Sequence, residues 1–214
     1  MNKKVILLIG LWGGLFYTAR VGYAAINRDY GAEENQYLPV PETNIFQAIS
    51  SGLGDIMGNA AMGLVNQNLV NNSQIKAFLA VIRKGEGTAD YGGYSRLFGG
   101  GVFNDFGWHP NIIVKAGGYT STAAGAYQFL KRTWDETARI MGLIDFSPLS
   151  QDIAAVGRLA YRGAIDDILS GKFESAIAKS AKEWASLPGS PYGQPTISMN
   201  TALNAFTNNG GQVA

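Results

Sequence analysis

The sequence predicts a mostly helical α+β domain with a small β region, preceded by an N-terminal hydrophobic helix and a linker. Three observations carry this expectation. Apolar residues recur at helical spacing from Ser73 onward and again over most of the C-terminal half. Between those stretches, residues 85–118 are rich in Gly and Tyr and hold only short strand-like pieces. Before residue 73 the composition changes twice, from an apolar run to a polar, proline-containing stretch.

The first 26 residues form the first element. Lys3 and Lys4 precede an uncharged run from Val5 to Ala19, Arg20 interrupts it, and residues 21–26 are apolar again. The pattern fits a secretory signal with Gly22-Tyr23-Ala24 as its small-x-small site, and it also fits an uncleaved membrane anchor. The uninterrupted run is about 15 residues, roughly 22 Å of helix against a hydrocarbon core of about 30 Å. Carrying the helix to Ile26 closes that gap if Arg20 snorkels to the interface. The anchor is the reading we adopt. Residues 27–72 form a linker, extended near Pro39 and Pro41, with a Gly-rich amphipathic helix over residues 45–70. That helix is expected to cover the domain rather than enter a bilayer, which suits Asp55 and Asn59 poorly.

The domain proper is expected at residues 73–214. Ser73 can cap a helix carrying Ile75, Phe78, Leu79 and Ile82. GVFNDF and NIIVKA read as short strand-like pieces. Helices are then expected near residues 123–141, 150–170 and 172–185, with Gly171 separating the last two, and over residues 198–207.

Composition removes several kinds of chemistry. The chain has 214 residues, no cysteine, one histidine (His109) and a formal net charge of +1. Thiol nucleophiles, disulfides and multi-imidazole metal sites are absent from such a chain. Nothing in the charge points to nucleic acid. No Walker-type loop supports nucleotide hydrolysis. Acid–base work therefore falls mainly to carboxylates, assisted by Tyr, Lys or amides.

Glu86 is the carboxylate that draws notice. It stands between Gly85 and Gly87 at the end of an apolar helix. Flanking glycines let a ligand come close. A partly desolvated glutamic acid there could hold a proton and pass it to a glycosidic oxygen. By itself, such a residue is more often an ordinary exposed helix-terminal Glu. Two further stretches bear on it. TSTAAGAYQ reads as small residues at a helix start, followed by polar reach from Tyr127 and Gln128, or simply as a capped helix with Tyr127 in the core. WASLPGSPYGQ offers a Pro/Gly loop displaying aromatic rings to a sugar, although burial of Trp184 is the favoured outcome for that residue.

KGEGTADYGGY, FNDFGWHP, STAAGAYQFLKRTWD, GLIDFSPLSQD and WASLPGSPYGQ follow in this order over residues 78–210. Together they resemble the bacteriophage lambda lysozyme-like family of peptidoglycan lytic transglycosylases. The resemblance implies a lysozyme-like fold and a single catalytic acid, Glu86. With it come expected substrate-binding residues Tyr94, Ser121, Tyr127, Gln128, Tyr192 and Gln194. Asp105 and His109 read as structural, with His109-Pro110 as a capped turn. The sequence departs from the family in three places: a shorter loop after Gly87, Ser95 where the family has an acidic residue, and 72 N-terminal residues without a counterpart.

The resemblance implies cleavage of the bond between N-acetylmuramic acid and N-acetylglucosamine into 1,6-anhydro products, with no metal or organic cofactor. A hydrolytic muramidase using Asp90 or Asp105 to direct water is the enzymatic alternative. A non-catalytic peptidoglycan-binding or virion structural protein is the other. Expected partners are bacterial peptidoglycan, a membrane through the N-terminal helix, and other proteins of a virion membrane or genome-delivery apparatus. The expected location is membrane-anchored in such a virion, with an exported endolysin at the host inner membrane or periplasm as the alternative.

Overall fold

The computed structural model describes residues 68–214. The expectations for the N-terminal anchor, and for most of the linker and its Gly-rich helix, lie outside the described residues. Among the described residues no helix is long and apolar enough to cross a membrane.

Helix α1, Ser73–Gly85, is the central element. It buries Ile75, Ala77, Phe78, Leu79, Val81 and Ile82, a stripe wider than one heptad seam because helices cover it on several sides. Its N-cap is Asn72, not Ser73: the Asn72 side chain accepts from the Gln74 and Ile75 amides at 2.9 and 3.3 Å. Asn fills this role as well as Ser does, and one residue earlier it leaves Ser73 inside the helix. Val70 is also buried in the core and Leu69 packs against it, so the folded unit starts ahead of residue 73.

The middle of the chain is loop-rich. Two short 3₁₀ turns, Gly93–Ser95 and Phe98–Gly100, precede a two-stranded antiparallel sheet. Strand β1 is Val114–Ala116 and β2 is Tyr119–Ser121, in the register Val114 opposite Ser121. NIIVKA thus yields a strand only in its second half. GVFNDF yields only an isolated bridge between Val102 and Arg96.

Four helices follow: α2 Lys131–Met141, α3 Pro148–Tyr161, α4 Ile165–Leu169 and α5 Phe173–Ser180. Helix α6, Met199–Asn208, is capped by Ser198 and closes the chain against α1. The helix expected from residue 123 begins only at Lys131. Residues 124–129 instead form a tight turn, with Ala124 and Phe129 exchanging backbone hydrogen bonds. Gly125 and Gln128 hold positive φ there, which no α-helix accommodates. The helix expected over 150–170 breaks at Gly163, also in the left-handed region. Gly171 does separate α4 from α5. A Cβ on it would meet backbone atoms of Gln212 and Ala214 at under 3 Å, so the tail can lie against this turn only because the residue is glycine.

Two aromatic clusters anchor the core. Phe78, Phe173 and Phe206 pack edge-on or tilted, with centroids 5.0–6.2 Å apart. Trp134 stands perpendicular to Phe146 at 4.5 Å, and Phe103 and His109 pack on the same ring. The second cluster holds the loop region onto α2 and the segment that leads into α3, and the cleft opens where that region meets the end of α1.

Candidate active site

Glu86 terminates α1. Its amide closes the last helical turn on the Ile82 carbonyl at 2.9 Å, and Gly87 turns the chain away with φ of 69°. The turn is pinned on both sides. Buried Thr88 donates its hydroxyl to the Ala126 carbonyl at 2.5 Å and its amide to the Arg83 carbonyl at 2.9 Å. Arg83 returns two N–H bonds to the Thr88 carbonyl. The half-buried Glu86 carboxyl accepts a hydrogen bond from the Ser186 hydroxyl at 2.6 Å. Ser186 is fixed by the Ile197 amide on its carbonyl at 2.9 Å.

Glu86 lines a cleft of about 560 Å³. Gly87 and Asp90 contribute from its own loop, residues 96–100 from the 3₁₀ turn, and Ser186, Tyr192 and Gln194 from the loop after α5. Gln128 faces the cleft from the 124–129 turn with φ of 48°, a conformation that costs a non-glycine residue energy. Its side-chain amide steadies that turn by donating to the Gly125 carbonyl at 2.9 Å. Tyr192 is braced by its hydroxyl donating to the Lys182 carbonyl at 2.8 Å.

Three carboxylates line the cleft and they are held differently. Asp90 pairs with Arg96. Glu183 is buried and takes Arg158 and Arg162 at 2.6 and 2.7 Å. Burial alone would raise the Glu183 carboxyl, but the two guanidiniums outweigh it and keep it below its ordinary range. Glu86 carries the hydroxyl bond from Ser186.

The structure therefore brings Glu86, Gln128, Tyr192 and Gln194 to one cleft. Three expected residues stand elsewhere. Tyr127 is 1% exposed, with its ring in the core and its hydroxyl donating to Asp152 at 2.6 Å. Burial, then the Asp152 charge, holds that phenol well above its ordinary value. Tyr94 donates to the same Asp152 oxygen at 2.9 Å, lies beneath the Arg83 guanidinium, and is pushed up to about 12 by burial and by Asp152. Ser121 is buried at the end of β2 and accepts from the Ala123 amide. Tyr94 and Tyr127 thus share one half-buried acceptor and brace the cleft from within. Trp184 is buried, its indole N–H donating to the Tyr127 carbonyl at 3.2 Å. Asp105 caps its own turn through the Gly107 amide, and His109 accepts from the Asn111 amide at 3.1 Å, so both are structural.

No cue in the sequence marks Ser186 as a partner of Glu86. Its trace is indirect: a Cβ on Gly85 would lie 2.6 Å from the Ser186 oxygen, so that glycine serves a close neighbour as well as ligand approach. Arg96, which also lines the cleft, carries no sequence cue either.

The Endolysin family model matches residues 76–213. The endolysin of Escherichia phage lambda is 40% identical over 150 residues, 66% of this chain and 94% of that protein. The endolysin of Escherichia phage P2 is 36% identical over 160 residues, 67% of this chain and 97% of that protein. The structure of bacteriophage lambda lysozyme complexed with a chitohexasaccharide superposes with a TM-score of 0.65 at 39% identity, covering 67% of this chain and 97% of that one.

Proposed function

The chain belongs to the Endolysin family, and from that premise we propose that it cleaves bacterial peptidoglycan as a lytic transglycosylase. Glu86 is the general acid and base, and the β-1,4 bond from N-acetylmuramic acid to N-acetylglucosamine is the target. The observation that carries this reading is the placement of Glu86: half-buried at the end of α1, in the cleft, with its carboxyl oriented by Ser186. A sugar polymer bound to the lambda relative supports the cleft as a saccharide site.

One carboxyl group suffices for the cycle. Glu86 gives its proton to the glycosidic oxygen, and the C1–oxygen bond of the muramic residue breaks. The muramic 6-hydroxyl oxygen bonds to C1, and its proton passes to Glu86, which is restored. The Ser186 hydroxyl supports the carboxylate between the two transfers. No water is consumed, and the product ends in a 1,6-anhydro sugar.

Asp90 favours one other reading, because its carboxylate also lines the cleft and could direct water. Its Oδ2 is engaged by Arg96. Asp105 does not line the cleft. Mass spectrometry of the digest separates the readings: anhydro ends are lighter by one water than reducing ends. Reducing ends alone would establish a hydrolase. Glu86→Gln keeps shape and removes the proton. Lysis of purified wall should fall by at least about 10²–10⁴-fold while the thermal melt is unchanged. Near wild-type clearing by that variant would remove Glu86 from the mechanism.

For its setting we propose attachment to a membrane through residues 1–26, in a virion membrane or genome-delivery apparatus. Partition of the full chain with membranes, and loss of that partition on removing residues 1–26, is the result expected.

A further inference from the structure

We propose that Arg96 is a carboxylate-binding subsite of the cleft, selecting glycan strands that carry acidic groups over uncharged ones; this rests on the reading of the cleft as a peptidoglycan site. Among the described residues lining the cleft, Arg96 is the one Lys or Arg. Its backbone is fixed in the cleft wall. Its amide donates to the Gly93 carbonyl at 3.1 Å, and its carbonyl accepts from the Gly125 amide at 2.8 Å and the Gln128 side chain at 3.3 Å. Gly93 in turn abuts the Glu86 loop, since any Cβ there would fall 1.9 Å from the Thr88 carbonyl oxygen. The backbone that carries the cation is thus fixed against the loop of the proton donor.

Its hydrogen-bonding edge is only half used. A guanidinium offers Nε–H and an Nη–H side by side, and that pair fits one carboxylate. Asp90 takes Nη2 alone, whereas Nε is buried and makes no hydrogen bond among the described residues. The Asp90 side chain is 58% exposed. An ion pair this open contributes little and exchanges at little cost. A substrate carboxylate can therefore replace Asp90 at the Nη2–H while Asp90 swings into solvent. Only binding changes, and no proton or bond is transferred. Peptidoglycan carries carboxylates on the lactyl group of peptide-free muramic residues and on its stem peptides, and chitin carries none.

The test uses the full chain and three probes: peptide-bearing strands, peptide-free strands with open lactyl carboxylates, and chitohexasaccharide as a competitive inhibitor. Arg96→Gln should raise KM about five- to tenfold on carboxylate-bearing strands, the weight of a charge-assisted bond at a partly open site. The chitohexasaccharide inhibition constant should stay within about twofold. Arg96→Lys should recover part of the loss, keeping charge without the fork. Asp90→Asn should act with the opposite sign and lower KM, because a neutral amide holds the guanidinium less tightly than the carboxylate does. A loss confined to peptide-bearing strands assigns the stem-peptide carboxylates, and a loss confined to peptide-free strands assigns the lactyl group. Equal losses on all three probes, no loss on any, or a raised KM from Asp90→Asn would overturn the subsite while leaving wall cleavage intact. A wild-type chain that neither cleaves nor binds any of the strands would overturn the peptidoglycan reading and the subsite with it.

Discussion

A Cβ on Gly85 would sit 2.6 Å from the Ser186 oxygen that hydrogen-bonds Glu86. Two substitutions that share no chemistry should therefore harm the same contact. Ser186→Ala deletes the donor and should lower kcat about tenfold, with KM within about twofold, since a hydrogen bond to a charged group at a half-open site weighs about that much. Gly85→Ala drives the hydroxyl away and should cost a similar factor. The two should not add: in the Ser186→Ala background, Gly85→Ala should cost little more, because the oxygen it would strike is gone. Multiplying losses in the double variant would mean that Gly85 acts on something else. Glu86 stands out in the sequence between glycines where an apolar helical pattern ends, but it is the resemblance of the five segments that implies its role as the acid. Ser186 does not stand out, because it is 100 residues away and is one of many serines.

Helical spacing is legible in the sequence where polar residues interrupt the apolar ones and obscure where they do not. Helices α1, α3 and α6 carry such interruptions. Residues 123–130 are buried nearly throughout, so their apolar spacing carries no helical information, and the turn is set by backbone geometry instead. What holds that turn is Gln151 of α3, fully buried. Its carbonyl accepts from the Ala126 amide at 2.8 Å, and its amide donates to the Phe146 and Tyr94 carbonyls at 2.8 and 3.0 Å. One side chain thus ties α3 to three loops, and nothing singles it out in a helix that also carries Ser150, Asp152 and Arg158. Gln151→Leu keeps the volume and strands all three backbone groups in the core. The expected loss is about 3–5 kcal/mol, from roughly 1–3 kcal/mol for each buried group left unpaired with partial relaxation. Urea unfolding measures it. A loss under about 1 kcal/mol would mean that the loops find other partners.

At the scale of the whole molecule, acid resistance depends on buried groups whose proton affinities the fold has altered in opposite directions. Burial lowers His109 from 6.5 to about 4. Its Nε2 faces the Phe129 carbonyl at 2.8 Å and its Nδ1 accepts from the Asn111 amide, so a second ring proton would break the latter bond. The folded value lies below the unfolded one. As pH falls from about 6.5 to about 4, the unfolded chain takes up a proton that the folded chain refuses, and stability drops by up to about 3 kcal/mol. Burial raises Glu136 and Asp152, which therefore gain protons in the fold before they do in the unfolded chain and oppose that loss. Glu183 runs the other way. Its depressed value gives stability that is full above the ordinary glutamate range and is lost as pH falls through the folded value. The histidine component can be isolated, because His109 is the chain's one imidazole. Its ring resonances should titrate near pH 4 in the folded protein. Between pH 7 and pH 4.5, the stability of His109→Gln should fall less steeply than that of wild type, even if the variant starts lower. A ring that titrates near 6.5, or parallel pH slopes for the two proteins, would show that His109 is open to water and that the turn at Pro110 is not sealed onto the core.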